Sequence, residues 1–257
     1  TSLRTGLTLY QARFNSDGWG GEINAYPVQS NGTLDAASWR AQNVMAGMPN
    51  SSTRIDPATR VVLTYDPNLS GSSKGIPFRW TSMTSGGVLQ TSLNKAWNAS
   101  GGTADGKGSN RVEFLRGATT ETGMRTRPCI VGTSGATCIT NFLGDIIDSA
   151  VQYVGIPAFG YASTSYRQFY DAKRTRTAML YVGANDGMLH GFEASSGEEK
   201  LAYIPSSLYR SARLSKLTAP DYGLSANPHA YYVDGSPTFG DGCRLSTTTN
   251  DKSCEDS

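Results

Sequence analysis

Over residues 179–205 the chain reads as three short apolar runs separated by two clusters of turn residues. Met179-Leu180-Tyr181-Val182 and Met188-Leu189-His190-Gly191-Phe192 suit strands, and Asn185-Asp186-Gly187 between them supplies the positive-φ residues that a tight hairpin needs. Ser195-Ser196-Gly197-Glu198 marks a second turn, after which Leu201-Ala202-Tyr203-Ile204 resumes an extended run that stops at Pro205. The pattern predicts an antiparallel three-stranded meander. Such a unit is marginal alone in water and needs neighbours to cover its faces, as radially repeated blades do.

An echo of this unit stands near the start. Trp19-Gly20-Gly21-Glu22-Ile23-Asn24-Ala25-Tyr26 overlays Asn185-Asp186-Gly187-Met188-Leu189-His190-Gly191-Phe192 without a gap, pairing Gly21 with Gly187, Ile23 with Leu189, Ala25 with Gly191 and Tyr26 with Phe192. In both copies the aliphatic and the small residue fall on one strand face, where the small one lets a neighbouring sheet come close. Asn31-Gly32-Thr33 offers the second turn of this copy.

Elsewhere the pattern predicts a first strand over 7–14 with a turn at Asn15-Ser16-Asp17-Gly18, a short helix within 36–48, and strands at 61–65 and from Gly75. Leu89, Leu93 and Trp97 carry a weak helical period that the Gly/Ser-rich stretch 100–110 interrupts. Strands are expected again over 143–155 and from Tyr231 to Pro237, with a helix at 206–217 and a partly helical, aromatic-rich connection before the meander. The expectation for 1–257 is the N-terminal portion of one all-β domain. In it 81–140 is an insertion or irregular region packed outside the sheet, and 141–240 holds the best-defined blades.

Composition sharpens this picture. Twenty-nine glycines, thirteen tyrosines and 17% charged residues fit strands and turns and argue against helical bundles. A net charge of +2, with scattered Lys and Arg, gives no stripe for neutralising phosphates, so nucleic acid is not an expected partner. No run approaches the ~18 apolar residues of a membrane span. The absence of an initiator Met, and a C-terminal tail with no closing strand, lead us to expect a fragment or a processed product. Four cysteines permit three pairings. Spacing favours the local ones, Cys129 with Cys138 and Cys243 with Cys254, each closing a Gly/Ser/Thr-rich loop, and this implies an oxidising compartment.

Chemistry is sparse. The two histidines, His190 and His229, have no recognisable partner in sequence, and no nucleophile elbow, Walker loop or zinc spacing occurs, so no catalytic, cofactor-binding or metal residues are assigned. Asp145, Asp148, Asp241 and Asp251 read as isolated acids in turns or in solvent. Aromatics gather at Tyr153, Phe159, Tyr161, Tyr166, Phe169 and Tyr170, and of these Tyr161, Tyr166, Phe169 and Tyr170 form a candidate contact surface. Arg116-Gly117 is followed by Ala118, so an RGD-type receptor motif is missing.

Four ordered segments resemble the C-terminal domain of the PilY-type proteins, the type IV pilus biogenesis factors and tip-associated adhesins. They are RFNSDGWGGEINAYPV from Arg13, LGDIIDSAVQYVG from Leu143, YVGANDGMLHGFEASSGEEKLAYIPSSLY from Tyr181, and YYVDGSPTFGDG from Tyr231. The resemblance implies a modified, quinoprotein-like β-propeller, incomplete in this chain and carrying partly helical insertions. It also implies a non-enzymatic role in pilus assembly and tip-associated adhesion, as a protein-binding scaffold at the bacterial surface or pilus tip, reached through the periplasm. The partners it implies are minor pilins or other pilus-tip proteins, with a host or abiotic surface beyond them. A Ca²⁺ loop of the D-x-D-x-N/D-G kind belongs to the family, and no such loop occurs here. The enzymatic alternative is a quinone-dependent dehydrogenase, whose strand grammar NDGMLHGFEASSGE resembles. That reading lacks the catalytic Asp and the stacking tryptophans, since all four Trp precede residue 98, away from the strongest blade sequences.

Overall fold

A computed structural model describes residues 2–5, 8–48, 54–71, 73–97, 102–133 and 138–242, with the backbone of 244–245 and 254–255. Two open sheets carry the architecture. In the first, β1 (Ser2–Thr5), β2 (Thr8–Asn15), β3 (Gly20–Pro27) and β4 (Trp39–Arg40) pair antiparallel in chain order. The β2–β3 hairpin registers Asn15 opposite Gly20, so its loop is Ser16-Asp17-Gly18-Trp19, with Gly18 and Trp19 both at positive φ. Helix α1 (Ala41–Met45) follows directly on β4.

The second sheet contains β5 (Val62–Tyr65), β6 (Gly75–Pro77), β7 (Gln152–Val154), β8 (Met179–Ala184), β9 (Met188–Glu193) and β10 (Glu199–Ile204), in the order β6-β5-β10-β9-β8-β7. The expected meander is there, antiparallel from β8 to β10. The free edge of β10, however, takes β5 in parallel, with Ala202 opposite Val62 and Ile204 opposite Thr64, a pairing the local pattern does not announce. Register places Val182, His190, Ala202 and Val62 in one row across four strands, so they share a face.

That inner face feeds two cores. On the β8 side, Leu180, Val182, Ala184 and Phe192 meet Tyr10, Ala12, Ile23 and Ala25 of the first sheet. On the β5 and β10 side, Val62, Ala202 and Ile204 meet Leu89 and Leu93 of α2 (Val88–Leu93), Val112, Phe114 and Leu115 of α3 (Gly108–Arg116), and Leu214 and Leu217 of α5 (Arg213–Thr218). The region 81–140 thus supplies six of the seventeen buried residues of this core. Helix α3 begins inside the Gly/Ser-rich stretch expected to interrupt helical structure, and Gly117 ends it at φ 114°, the left-handed position that favours glycine. Arg116, met in sequence beside a missing motif, is wholly buried and donates to the carbonyls of Pro57, Phe78 and Arg60.

Two predicted strands are corrected. Of 143–155 only β7 is strand. The preceding residues form a wedge between the sheets: Leu143 O accepts from Gly21 N (2.9 Å), Asp145 O from Asn185 N (2.9 Å), and Gly183 N donates to Ser149 Oγ (2.9 Å). Buried backbone groups need partners, and here both sheets supply them, so no ladder forms. Likewise Tyr231-Tyr232-Val233 forms no strand, because Tyr232 N donates to the Asn185 side chain (2.9 Å) instead of to a neighbouring backbone.

Candidate functional site

The centre of the inner face is charged. His190 is fully buried and donates from Nδ1 to Glu199 Oε1 (2.7 Å) and from Nε2 to both Asp186 oxygens (3.1 Å each). Arg60 completes the group, with Nε to Glu199 Oε2 at 2.6 Å, Nη2 to Oε1 at 2.8 Å, and Nη1 to Leu115 O. A bulge makes this possible. Between Glu199 and Leu201 the β10 register shifts against β9, which turns Glu199 onto the His190 face while Leu201 points away. Asp186 is held by the hairpin turn and also accepts from Gly144 N (3.0 Å) of the wedge and Met188 N (3.2 Å).

Burial by itself would discharge these groups, and their mutual attraction prevents it. Desolvation pulls His190 down, yet Asp186 and Glu199 lift it to about 9, so the ring is an imidazolium at neutral pH. Desolvation pushes Glu199 up, and Arg60 with His190 bring it down to about 2. Asp186, against the same penalty, is lowered chiefly by His190. The network joins β8–β9, β10, the 60-region and the wedge. His190 itself is sealed from solvent, while its partner Glu199 and Arg60 border a cavity of about 410 Å³.

His229 also has a partner. Its Nε2 donates to both oxygens of buried Asp145 (3.1 and 3.0 Å), and its ring stacks on Trp19 with centroids 3.8 Å apart. Asn185 Nδ2 donates to the same carboxylate (2.8 Å). Asp145 is therefore neither isolated nor solvated. Nor do the tryptophans stand apart from the blade sequences: Trp39 Nε1 and Tyr10 Oη both donate to Ala194 O, just past β9 (3.2 and 3.1 Å). Asp148 is exposed, Asp241 is taken up by Tyr166 and Arg176, and Asp251 lies outside the described residues. Asp145 and Asp241 are already engaged by side-chain donors, and among the described residues no three such ligands converge as a calcium cage of oxygens would need.

The candidate contact surface assembles on α4 (Thr164–Lys173), a helix capped by Ser163 Oγ accepting from Tyr166 N (3.1 Å) and burying none of its residues. Tyr166, Phe169 and Tyr170 follow at helical i, i+3, i+4 spacing and share a face. Tyr166 is the hub. Its ring meets Tyr161 edge-on at 5.2 Å and Phe169 at 5.9 Å, and its hydroxyl donates to Asp241 Oδ2 (2.7 Å) while accepting from Phe159 N (2.9 Å). Phe159 stacks on Tyr161 and takes Phe239 on its edge at 6.0 Å. Tyr161, Phe159, Phe239 and Tyr170 remain exposed. Tyr153, grouped with them in sequence, belongs instead to the core between the sheets, stacked on Tyr10. Phe239 and Asp241 were not anticipated, since nothing in their local sequence ties them to a helix some 75 positions earlier.

Cys129 and Cys138 are joined, with Cα atoms 5.3 Å apart, as the spacing suggests. Cys243 lies outside the described residues; the backbone at Cys254 pairs with Leu245 in the two-stranded β11 (Arg244–Leu245) and β12 (Cys254–Glu255). Among the described residues no helix is long and apolar enough to cross a membrane.

Comparison with known proteins gives a consistent result. Residues 143–250 match the family model described as the PilY1 beta-propeller domain. The chain is 36% identical over 245 residues to the type IV pilus biogenesis factor PilY1 of Pseudomonas aeruginosa strain PAK, covering 90% of this chain and 19% of that protein. A PilY1 homolog of Xylella fastidiosa strain Temecula1 is 28% identical over 251 residues, 93% of this chain and 16% of the relative. The chain thus spans less than a fifth of the length of these curated relatives. No solved structure matches. Supported by these matches and by the blade-like sheets they fall on, the chain belongs to the PilY1 family of type IV pilus biogenesis factors.

Proposed function

We propose that this chain is a non-enzymatic scaffold in type IV pilus assembly and tip-associated adhesion, part of a modified, quinoprotein-like β-propeller at the cell surface, binding minor pilins or other pilus-tip proteins through the aromatic face of α4. The observation that carries the reading is α4 itself. A ten-residue helix with no buried side chain earns no stability from the core, yet it organises Tyr161, Tyr166, Phe169 and Tyr170 into an ordered surface with Phe159. Contiguous exposed aromatics are costly in water unless a partner covers them, and tyrosines give rigid contact area at low entropic cost. Calcium, where the family uses it, is assigned by this reading to residues outside those described.

The test is direct. Purified protein should bind minor pilins, and Tyr161→Ala combined with Tyr170→Ala should weaken binding by about tenfold or more while leaving the unfolding midpoint unchanged. Undiminished binding by the double variant would remove α4 from the interface. Dye reduction dependent on added quinone and calcium would favour the dehydrogenase alternative. The burial of His190 and the shielding of His229 beneath Trp19 speak against that outcome, because general acid–base work needs contact with substrate.

A further inference from the structure

The outer face of the first sheet borders a cavity of about 500 Å³. Its polar side follows from register. Arg13 pairs with Glu22 across β2–β3 and Asn24 with Arg40 across β3–β4, so these four residues share the face opposite Ile23 and Ala25. Asn24 is wholly buried, and its Oδ1 accepts from Gln42 Nε2 (3.4 Å) and Arg40 Nη1 (3.5 Å). Gln42 lines the cavity at 1% exposure and also accepts from Ile23 N (3.2 Å), which fixes it in place. The other wall is the disulfide loop, where Ile130 N donates to Ile139 O (2.8 Å) and Thr133 Oγ1 to Ile130 O (2.6 Å), so the Cys129–Cys138 bridge closes a braced turn. Val131 on that loop and Phe14 at the end of β2 both line the cavity and are 58% and 52% exposed. Charge is unbalanced: Arg13 and Arg40 meet one acid, Glu22, and among the described residues none of the three forms an ion pair. Unpaired guanidiniums beside exposed apolar side chains call for an anionic group on an apolar stem.

We propose that this cavity binds the C-terminal carboxylate of a peptide whose last side chain is apolar, with the carboxylate held by Arg13 and Arg40 and the side chain against Phe14 and Val131. A guanidinium matches a carboxylate in shape as well as in charge, and a net charge of one suits that monoanion better than a phosphate group. A chain end carries its charge and its last side chain on the same carbon, so one residue meets both walls, whereas an acidic side chain would need an apolar neighbour beside it. The volume is that of a small-ligand site, which takes a chain end and not the length of a strand. The inference does not depend on the α4 reading and involves none of its residues, so either site can fail alone.

Fluorescence anisotropy of the full-length protein with a labelled tetrapeptide ending in phenylalanine tests it. The free acid should bind, and amidating its C-terminus should weaken binding by about tenfold or more, as should Arg13→Gln combined with Arg40→Gln. Val131→Asp should weaken it to a similar degree, since it puts a carboxylate where the apolar side chain belongs. Both arginines lie outside the two cores, so the unfolding midpoint of the double variant should stay where it is; where it falls, the acid and amide peptides decide without any substitution. Failure of the acid to bind, equal binding of acid and amide, or undiminished binding by a folded double variant overturns the proposal. Displacement of the peptide by an equal concentration of octanoate also overturns it, by assigning the cavity to apolar acids at large.

Discussion

Two hairpins with nearly the same sequence grammar, β2–β3 and β8–β9, face each other across the core and hold their sheets together by opposite means. The loop of β2–β3 has four residues, ending at Trp19, and that of β8–β9 has three, Asn185-Asp186-Gly187. The extra residue changes the phase. A gap-free overlay pairs Ile23 with Leu189, yet Ile23 is fully buried between the sheets and Leu189 points to the open face. Since strand side chains alternate, a slip of one residue exchanges the faces. The glycines change meaning too: Gly187 sits in its turn at φ 88°, while Gly21 is in a strand, where a Cβ would collide with the Gly144 carbonyl of the wedge. Close approach between the sheets thus occurs at Gly21 and Gly144, not at Gly191. The β3 hairpin presents Ile23 and Ala25 and is dry; the β9 hairpin presents His190 amid carboxylates and is ionic.

The contrast predicts unequal costs, the largest on the ionic side. Glu199→Ala leaves Arg60 and His190 buried without their shared carboxylate and should destabilise by about 3–5 kcal/mol in urea unfolding. Ile23→Ala removes apolar contact and leaves a cavity, a loss of about 3 kcal/mol. If Ile23→Ala proves clearly the more damaging, the ion network is not the main tie of its hairpin. Smaller still should be the effect of pH. His190 lies above its ordinary 6.5 at about 9, so its contribution is complete below about pH 6.5 and is lost as pH rises through 9. Glu199 lies below its ordinary 4.5 at about 2, so its contribution is complete above about pH 4.5 and is lost as pH falls through 2. The urea midpoint should therefore fall between pH 7 and 10, and His190→Gln should flatten that slope; an equally steep slope in the variant would locate the titration elsewhere. Least costly is Gly187→Ala, at about 1–2 kcal/mol for an alanine forced to positive φ with Leu208 and Leu214 close by, read from the thermal midpoint.

Legibility followed the range of the interaction. The β8–β9–β10 meander, the Cys129–Cys138 bridge and helix α1 all rest on residues close to each other in sequence, and each was readable from turn chemistry or spacing. The wedge at 143–151 was misread as strand because its apolar content reports burial and says nothing of which groups satisfy the backbone. His229 looked partnerless because Asp145 is 84 residues away. The partners of His190 are near in sequence, Asp186 four and Glu199 nine residues off, but strict strand alternation gives no sign of the bulge that turns Glu199 onto the His190 face.

From its own order of residues this protein determined that it would form hairpins, where they would turn, and that an aromatic-rich, partly helical connection would precede the meander. Only the tertiary structure decided which face of each strand is inside, that β5 would join β10 in parallel, and that Arg60, Asp186, His190 and Glu199 would share one buried site. The physical reason is that turns and caps are settled by nearby backbone geometry, whereas burial and the pairing of charges depend on groups that meet only when the sheets close on each other.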